Sequence, residues 1–266
     1  MCGIAGFSLG PGSRVDRTLV AKALLAGIAE RGADAVGYAQ RGGLGPIEVA
    51  KLRGGASGLL DELSLPSTAT QALIHVRDYT KGHPEIEANN HPIRHGAVVG
   101  IHNGVIANDD ALLERYGIER HAPEMSVDSE VIFALMEHRR HSARALGELR
   151  GTMAAAWLDE RDDPTLYLAR GRLRPLWVGH SQQDIFFAST HRALTIVGAL
   201  LRTRLRLIEL REGRQLHVVA GRIVGARRFR PDRHYREENS LSPVRTPREA
   251  VFCLERLASL ASTPAA

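Results

Sequence analysis

The sequence begins with Met1-Cys2-Gly3-Ile4-Ala5-Gly6, and the apolar run over residues 2–9 predicts a short buried strand. Removal of the initiator methionine before a small residue would leave Cys2 with both a thiol and a free α-amine. Because this amine has a pKa of about 7.7–8.0 and the thiol one of about 8.5, the amine can take the thiol proton near neutral pH. The alternative is that Cys2 is an ordinary small residue of the core.

A second segment, His102-Asn103-Gly104-Val105-Ile106-Ala107-Asn108, comes at the end of the buried strand predicted for residues 97–102. Asn-Gly at the end of a strand is most often only a turn. An Asn side-chain amide followed by a Gly N–H is also a compact pair of donors, and the oxyanion formed by attack on a carbonyl needs two such donors. The spacing therefore leaves two interpretations open, a turn and an oxyanion hole.

Two further segments carry charges at the ends of predicted elements. In His75-Val76-Arg77-Asp78-Tyr79-Thr80-Lys81-Gly82, Arg77 follows a predicted strand, where it is either a solvated rim charge or a fork for a carboxylate. In Ser126-Val127-Asp128-Ser129-Glu130, Asp128 is either a charge favoured at a helix start or a ligand-binding group.

Together these segments resemble, in order and in neighbourhood, the class II glutamine amidotransferase domain, an N-terminal nucleophile glutaminase. The motifs that carry the resemblance span about residues 1–220 and are Met1 to Gly6, Arg31-Gly32-Ala33-Asp34-Ala35-Val36-Gly37, His75 to Gly82, Asn90-His91-Pro92, His102 to Asn108, Leu149-Arg150-Gly151-Thr152-Met153-Ala154 and Ala188-Ser189-Thr190-His191. One position departs from the family loop, where Ala35 replaces a serine.

The resemblance implies an α+β fold, a four-layer α/β/β/α sandwich of two antiparallel sheets. It also implies three catalytic groups: Cys2 as nucleophile with its own α-amine as base, and Asn103 with Gly104 as the oxyanion hole. The implied reaction is acyl transfer, in which the thiolate attacks the glutamine γ-amide, ammonia leaves, and water releases glutamate from a thioester.

The substrate-binding residues implied by the resemblance hold the part of L-glutamine that does not react. Arg77 would bind the α-carboxylate and Asp128 the α-ammonium, while Thr80 and the backbone around His102 would line the pocket. No cofactor and no metal is implied. The histidine-rich stretch that includes His75, His91 and His102 invites a metal interpretation, but its spacings match no standard zinc pattern.

The secondary structure expected from periodicity agrees with such a sandwich. Strands are predicted at 2–9, 36–39, 47–52, 72–76, 97–102, 152–158, 166–169, 176–179, 185–188, 205–210, 215–219 and 222–224. Helices are predicted at 15–30, 107–116, 127–139, 143–150, 191–200 and 248–262. We expect a glutaminase domain over residues 1–226, followed by a basic linker and C-terminal helix over 227–266.

The composition bears on whether the protein binds nucleic acid, spans a membrane or is secreted. The 35 basic and 30 acidic residues give a net charge of +5, almost wholly from arginine, but these arginines are interleaved with acids and no nucleic-acid-binding motif appears. No apolar stretch approaches the roughly 20 residues of a spanning helix, and no secretory signal is present. With only two cysteines, we expect a reduced, cytoplasmic protein that binds neither nucleic acid nor membrane.

About 40 residues follow the predicted glutaminase domain, too few for a synthase domain. We therefore expect the ammonia to pass to a separate synthase subunit. The last helix, with Val251, Leu254, Leu257 and Leu260 at helical spacing, is either a docking helix for that subunit or packed on its own domain. Two alternatives remain, a free-standing amidase acting on another γ-glutamyl compound and a catalytically silent binding module.

Overall fold

The structure is a computed structural model that describes residues 2–237, 242 and 244–262. One sheet has seven antiparallel strands, which in spatial order are β11 (Arg206–Glu209), β9 (Trp177–His180), β10 (Asp184–Ala188), β1 (Gly3–Leu9), β4 (Gln71–Arg77), β2 (Ala35–Arg41) and β3 (Glu48–Arg53). The other has six, which are β13 (Arg222–Arg228), β12 (Arg214–Val219), β8 (Thr165–Arg170), β7 (Gly151–Asp159), β6 (Val98–Ile106) and β5 (Ile93–His95).

Helices cover the outer face of each sheet. The seven-stranded sheet carries α1 (Arg17–Ile28), α2 (Ala56–Leu60), α6 (His191–Leu200) and α7 (Pro247–Ser262), and the six-stranded sheet carries α3 (Asp109–Tyr116), α4 (Glu130–His138) and α5 (Ala143–Leu146). Single 3-10 turns lie at Ala29–Arg31 and Glu87–Asn89.

A third apolar cluster fills the space between the two sheets. It includes Ile4 and Leu73 from one sheet and Ile101, Ala156 and Leu168 from the other. Because alternate residues of a strand face opposite sides, each sheet contributes one face to this layer and the other to its helices. The predicted four-layer sandwich of antiparallel sheets is confirmed.

The elements that differ from the prediction are short or lie at element ends. Helix α2 and strand β5 were not predicted, since five and three residues are too few to show a period. Helix α4 begins at Glu130 rather than at residue 127. The Asp128 carboxylate does not cap the helix, because it accepts a hydrogen bond from the N–H of Ile106 in β6.

Helix α7 packs on its own domain, against α1 and α2. Its buried residues are Ala250, Cys253 and Leu257, and the Glu249 carboxylate accepts hydrogen bonds from the N–H and hydroxyl of Ser57 at 2.9 and 3.0 Å. The apolar face predicted from the sequence is wrong in part, because Val251 is 57% exposed while Cys253 is buried. The inward side of α7 is therefore already covered by this chain.

The pairing of β1 with β4 brings the start of one strand to the end of the other. Gly3 lies opposite Val76, so Cys2, just before β1, comes next to Arg77 and Asp78 at the end of β4. Both strands also contact β6 across the inter-sheet layer. Of the helices that the structure describes, none has both the length and the apolar composition needed to cross a lipid bilayer.

Candidate active site

Cys2 directly precedes β1, the central strand of the seven-stranded sheet, and is partly exposed. Its thiol donates to the backbone carbonyl of Asp78, with Sγ 3.5 Å from the oxygen. Burial raises the pKa of the Cys2 thiol above its usual value, and the nearby Arg77 charge offsets part of that effect. The thiol is therefore mostly protonated near neutral pH, and its use as a nucleophile requires a base.

Asn103 lies in the middle of β6, opposite Ala154 of β7, and its side chain is fully buried. Neither its amide nitrogen nor its amide oxygen has a hydrogen-bond partner among the described residues. Buried polar groups without partners are rare in proteins, because each costs about 1–3 kcal/mol. This unpaired amide is thus available for a ligand group that the free chain does not contain.

Gly104 follows Asn103 in a backbone conformation with φ of 149°. A Cβ at this position would lie 2.0 Å from the carbonyl oxygen of Thr152 and 2.7 Å from Nε2 of His102. Both the positive φ and the closeness of β7 therefore require glycine here. The Asn-Gly pair lies within a strand rather than in the hairpin turn that this dipeptide usually marks.

Three buried histidines lie on or near this strand, His102 on β6 itself, His75 on β4 and His91 just before β5, and burial keeps all of them neutral. The pKa values of His75 and His102 are lowered to about 3, mainly by desolvation, and that of His91 is lowered well below its usual value. Nε2 of His75 lies 3.1 Å from the carbonyl oxygen of His102, and the rings of His75 and His91 stack at 4.1 Å. None of these three histidines has the pKa of a general base near neutral pH.

The ring of His102 is bonded on both sides within the core. Its Nδ1 lies 2.8 Å from the hydroxyl of Ser129 and its Nε2 lies 3.2 Å from the carbonyl of Thr152. This network ties β6 to β7 and to the turn before α4. His102 can therefore line a pocket only through its backbone.

The Arg77 guanidinium is buried at the end of β4 and organises the loop that follows it. It donates to the amide oxygen of Asn90 at 2.5 Å and to the carbonyls of Lys81 and Gly82, the first of these at 3.0 Å. These bonds close the loop around the guanidinium, next to the Cys2 thiol. Its positive charge lies near enough to the Cys2 thiol to lower the pKa of that thiol.

Asp128 is buried next to the last residue of β6, where its carboxylate accepts a hydrogen bond from the N–H of Ile106 at 2.6 Å. Burial raises the pKa of Asp128 to about 6, the Ile106 bond works against that shift, and the Asp109 carboxylate adds to it. A buried carboxylate with a raised pKa has a net affinity for a cation. Thr80, by contrast, is exposed, and next to it Lys81 pairs with Asp109 at 2.6 Å.

Three further residues, to which the sequence motifs gave no role, reach this region. Nε of Arg31 donates to the carbonyl of Cys2 at 3.4 Å, and its NH2 group is buried without a partner among the described residues. Arg174 is buried and forms an ion pair with Glu237. Arg31 was quoted as part of a motif without a role, whereas Arg174 and Glu237 lie 63 residues apart and leave no local signal.

A second link to the C-terminal segment lies beside Cys2 itself. Nε of Arg245 lies 3.3 Å from the carboxylate of Asp78. The backbone carbonyl of the same Asp78 accepts the hydrogen bond from the Cys2 thiol. The hydroxyl of Thr246 donates to the carbonyl of Ala29 at 3.0 Å. The segment before α7 is thus attached to the rim of the site.

A different cluster resembles a metal site by composition, but its hydrogen bonding opposes one. Nε2 of His141 lies 2.9 and 3.0 Å from carboxylate oxygens of Asp159 and Asp162. Nε1 of Trp157, which can only donate, points at Nδ1 of His141 at 3.1 Å. The proton of a neutral ring is therefore on Nε2, facing the carboxylates. A metal on Nε2 would move it to Nδ1, against the indole N–H.

Comparison with known proteins gives three kinds of match. A family model described as "Glutamine amidotransferase domain" matches residues 80–196. A protein of Listeria innocua named glutamine--fructose-6-phosphate aminotransferase (isomerizing) is 30% identical over 206 residues, covering 73% of this chain and 32% of that protein. A protein of the same name from Acidithiobacillus ferridurans is 31% identical over 230 residues, covering 80% of this chain and 34% of that protein.

Among solved structures, this chain matches glutamine phosphoribosylpyrophosphate amidotransferase from B. subtilis, complexed with ADP and GMP. The match covers 85% of this chain and 49% of that protein's chain. The TM-score is 0.67 and the identity 20%, so this likeness concerns the fold. The chain spans about a third of the length of the curated relatives. These matches give no support to a silent module or to an amidase of another compound. The chain belongs to the class II glutamine amidotransferases, and its two-sheet sandwich is their N-terminal nucleophile hydrolase fold.

Proposed function

We propose that this chain hydrolyses the γ-amide of L-glutamine to glutamate and ammonia, with Cys2 as the nucleophile. The observation that carries the proposal is the side chain of Asn103, a fully buried amide with both polar atoms unpaired among the described residues. It lies on β6, which contacts β1 and β4 across the inter-sheet layer, and Cys2 directly precedes β1. A buried donor without a partner is suited to an oxyanion that exists only during the reaction.

The base in this mechanism is the α-amine of Cys2, freed by removal of Met1. The thiol needs a base because burial raises its pKa, and the three nearby histidines are neutral with lowered pKa values. The amine takes the thiol proton, the sulfur attacks the carbonyl carbon of the side-chain amide, and the carbonyl electrons move to the oxygen. Asn103 and the N–H of Gly104 would donate to that oxygen. The ammonium form of the α-amine then returns its proton to the departing ammonia.

The resulting γ-glutamyl thioester is cleaved by water, which adds to the same carbon while the α-amine accepts one of its protons. Collapse of this second tetrahedral intermediate expels the thiolate, releases glutamate and restores the thiol. Arg77 would orient the α-carboxylate of the substrate, since its charge lies beside Cys2. Asp128 would receive the α-ammonium, and Thr80 would serve at the rim of the pocket.

We further propose that the ammonia passes to a synthase carried by another chain, in a reduced, cytoplasmic setting. The names of the curated relatives describe amino transfer to a sugar phosphate, and this chain matches about a third of their length. Free ammonia is mostly protonated in water at neutral pH and is then no nucleophile. A glutaminase that supplies a synthesis therefore gains from acting only when an acceptor is ready.

Steady-state glutamate release from the purified chain tests both parts of this proposal. We expect slow turnover by the isolated chain and faster turnover when a partner recovered from the native host is added with its substrate. Turnover of about 10 s⁻¹ or more by the isolated chain, a typical enzyme value, with no partner recovered, would replace the subunit proposal by a free-standing hydrolase. Absence of glutamate release under every condition would contradict the glutaminase proposal itself.

A further inference from the structure

A cavity of about 720 Å³ lies beside the helices of the six-stranded sheet. It is formed by α3, the segment after α4, α5 and the end of β13. Five arginines line it, Arg115, Arg139, Arg144, Arg228 and Arg230, together with one carboxylate, that of Glu148. We name this cavity the arginine groove. Its volume falls within the range of about 300–1,000 Å³ that is typical of small-molecule sites.

The positive charge of the arginine groove is largely uncompensated. Among the described residues, ion pairs within the groove are limited to Arg115 with Glu148 at 3.4 Å. The same Glu148 oxygen also accepts the hydroxyl of Tyr116 at 2.6 Å. Arg144, Arg228 and Arg230 are exposed and have no carboxylate within ion-pair distance in the part of the chain described. Like charges so concentrated in a concave surface raise the local concentration of anions.

Part of the groove is held in a fixed arrangement before any ligand arrives. The guanidinium carbons of Arg115 and Arg139 each lie 5.6 Å from the ring centre of Tyr116. Because the Tyr116 hydroxyl is bonded to Glu148, the ring and its two guanidinium groups share one anchor. Stacked guanidinium groups present their N–H forks in a defined direction, and this lowers the entropy lost when they bind an oxyanion.

We propose that the arginine groove binds a small molecule that carries a phosphate ester. A guanidinium fork matches two oxygens of a phosphate, and several forks around one cavity match the charge of about −1.5 to −2 on a phosphate monoester. A single-stranded nucleic acid is less suited to the groove, since such ligands stack their bases on aromatic side chains. Here the Tyr116 ring is already engaged by arginines.

The floor of the groove is hydrogen-bonded to Asn108, two residues after the end of β6. The amide of Asn108 donates to the carbonyl of Glu148 at 3.0 Å and accepts the N–H of Arg150 at 2.8 Å. No hydrogen bond or ion pair within the described residues joins the five arginines to Cys2, Asn103 or Arg77. The groove is therefore a second site, and the proposal does not depend on the proposed glutaminase reaction.

The test is calorimetric titration of the full chain with inorganic pyrophosphate in 150 mM NaCl. We expect one saturable site, and at least tenfold weaker binding by the double variant Arg139→Ala/Arg228→Ala. Arg139→Lys should also bind more weakly, because it keeps the charge and loses the fork. The matched control is Arg206→Ala, an exposed arginine on β11 of the other sheet, which should bind like the unmodified chain.

Three results would overturn the proposal: no saturable binding, an equal loss in Arg206→Ala, or preferred binding of a 20-nucleotide single-stranded DNA that the double variant also weakens. The last result would assign the groove to nucleic acid. Melting temperatures of all variants, and glutamate release by them, should match the unmodified chain. This separates failure of the groove from failure of the proposed function.

Discussion

The thiol of Cys2 donates its hydrogen bond to the backbone carbonyl of Asp78, 76 residues away, at 3.5 Å. A peptide carbonyl accepts a hydrogen bond but does not take up a proton, so this contact holds the thiol in place without activating it. The carboxylate of the same Asp78 is bound by Arg245 from the segment before α7. The resting position of the nucleophile thus depends on both ends of the chain.

We predict that the active protein begins at Cys2, since a peptide bond to Met1 would replace the basic amine by an amide. Intact mass of the active fraction measures this. Cys2→Ala should abolish glutamate release and keep the fold. The matched control is Cys253→Ala, which should remain active because Cys253 is buried in α7 and its thiol pKa is raised to about 12. Full activity in protein that retains Met1 would contradict the α-amine as base.

An electrophilic glutamine analogue should also distinguish the two thiols. We expect it to modify Cys2 and leave Cys253 unmodified, as measured by peptide mass spectrometry. The rate of modification should rise with pH through an apparent pKa of about 8, the value of an α-amine. It should not rise through a pKa of about 6.5, the value of an unperturbed histidine. A profile governed by a group near 6.5 would contradict the α-amine as base.

Asn103 should separate activity from stability. Asn103→Ala should lower kcat by about 10²–10³, the usual loss for one oxyanion donor, with a smaller effect on KM. Asn103→Leu should lose activity to a similar extent and keep or raise the melting temperature, because it removes a buried amide that has no partner. A change in KM alone would show that Asn103 only lines the pocket.

For Asp128 we predict opposite effects on stability and on binding. Its pKa in the folded chain is about 6, against about 3.9 when unfolded, so the folded state binds more protons between these values and stability falls as pH rises through them. Asp128→Asn avoids that loss and should be more stable at pH 7.5, by up to about 3 kcal/mol. Near pH 4 the advantage should disappear.

The same variant should bind glutamine more weakly, since an amide cannot pair with the α-ammonium. We therefore expect a strong rise in KM at pH 7.5 with a smaller change in kcat, and a rise in KM of the unmodified chain below about pH 6 as Asp128 becomes protonated. Unchanged KM in Asp128→Asn would remove this residue from the substrate site.

Gly104→Ala should prevent stable folding or lower the free energy of unfolding by more than about 3 kcal/mol, because the added Cβ would meet the Thr152 carbonyl at 2.0 Å. Gly117→Ala is the matched control. Gly117 also has a positive φ, 61°, but a Cβ there meets nothing within 4 Å, so the cost should be about 1 kcal/mol. Urea unfolding of both variants measures the difference.

The sequence predicted most strands and helices because their apolar periods are long enough to read. The period of α1 could not show that residues 20–28 are buried all round, because α6 and α7 cover the sides that an isolated helix would expose. The local motifs left the roles of Cys2, Arg77 and Asn103 open; the family resemblance predicted them as site residues, and that assignment stays a prediction.

Local motifs could not predict the partners of these residues. The Arg174–Glu237 and Arg245–Asp78 pairs join positions far apart in the chain, and such pairs produce no period or spacing. Nor could the sequence predict the pKa of Asp128, because it depends on burial by other elements. The five arginines of the groove come from three separate stretches, so composition alone suggested only a basic chain.

The positions of the two tryptophans have a spectroscopic consequence. The chain has two tryptophans, one in each sheet: Trp157, fully buried in β7, and Trp177, half-buried at the start of β9. Fluorescence of a Trp177→Phe protein would come from the six-stranded sheet alone, and that of a Trp157→Phe protein from the seven-stranded sheet alone. The chain thus carries one optical reporter in each layer, and coincidence of their two unfolding transitions measures whether the sheets melt as a single cooperative unit.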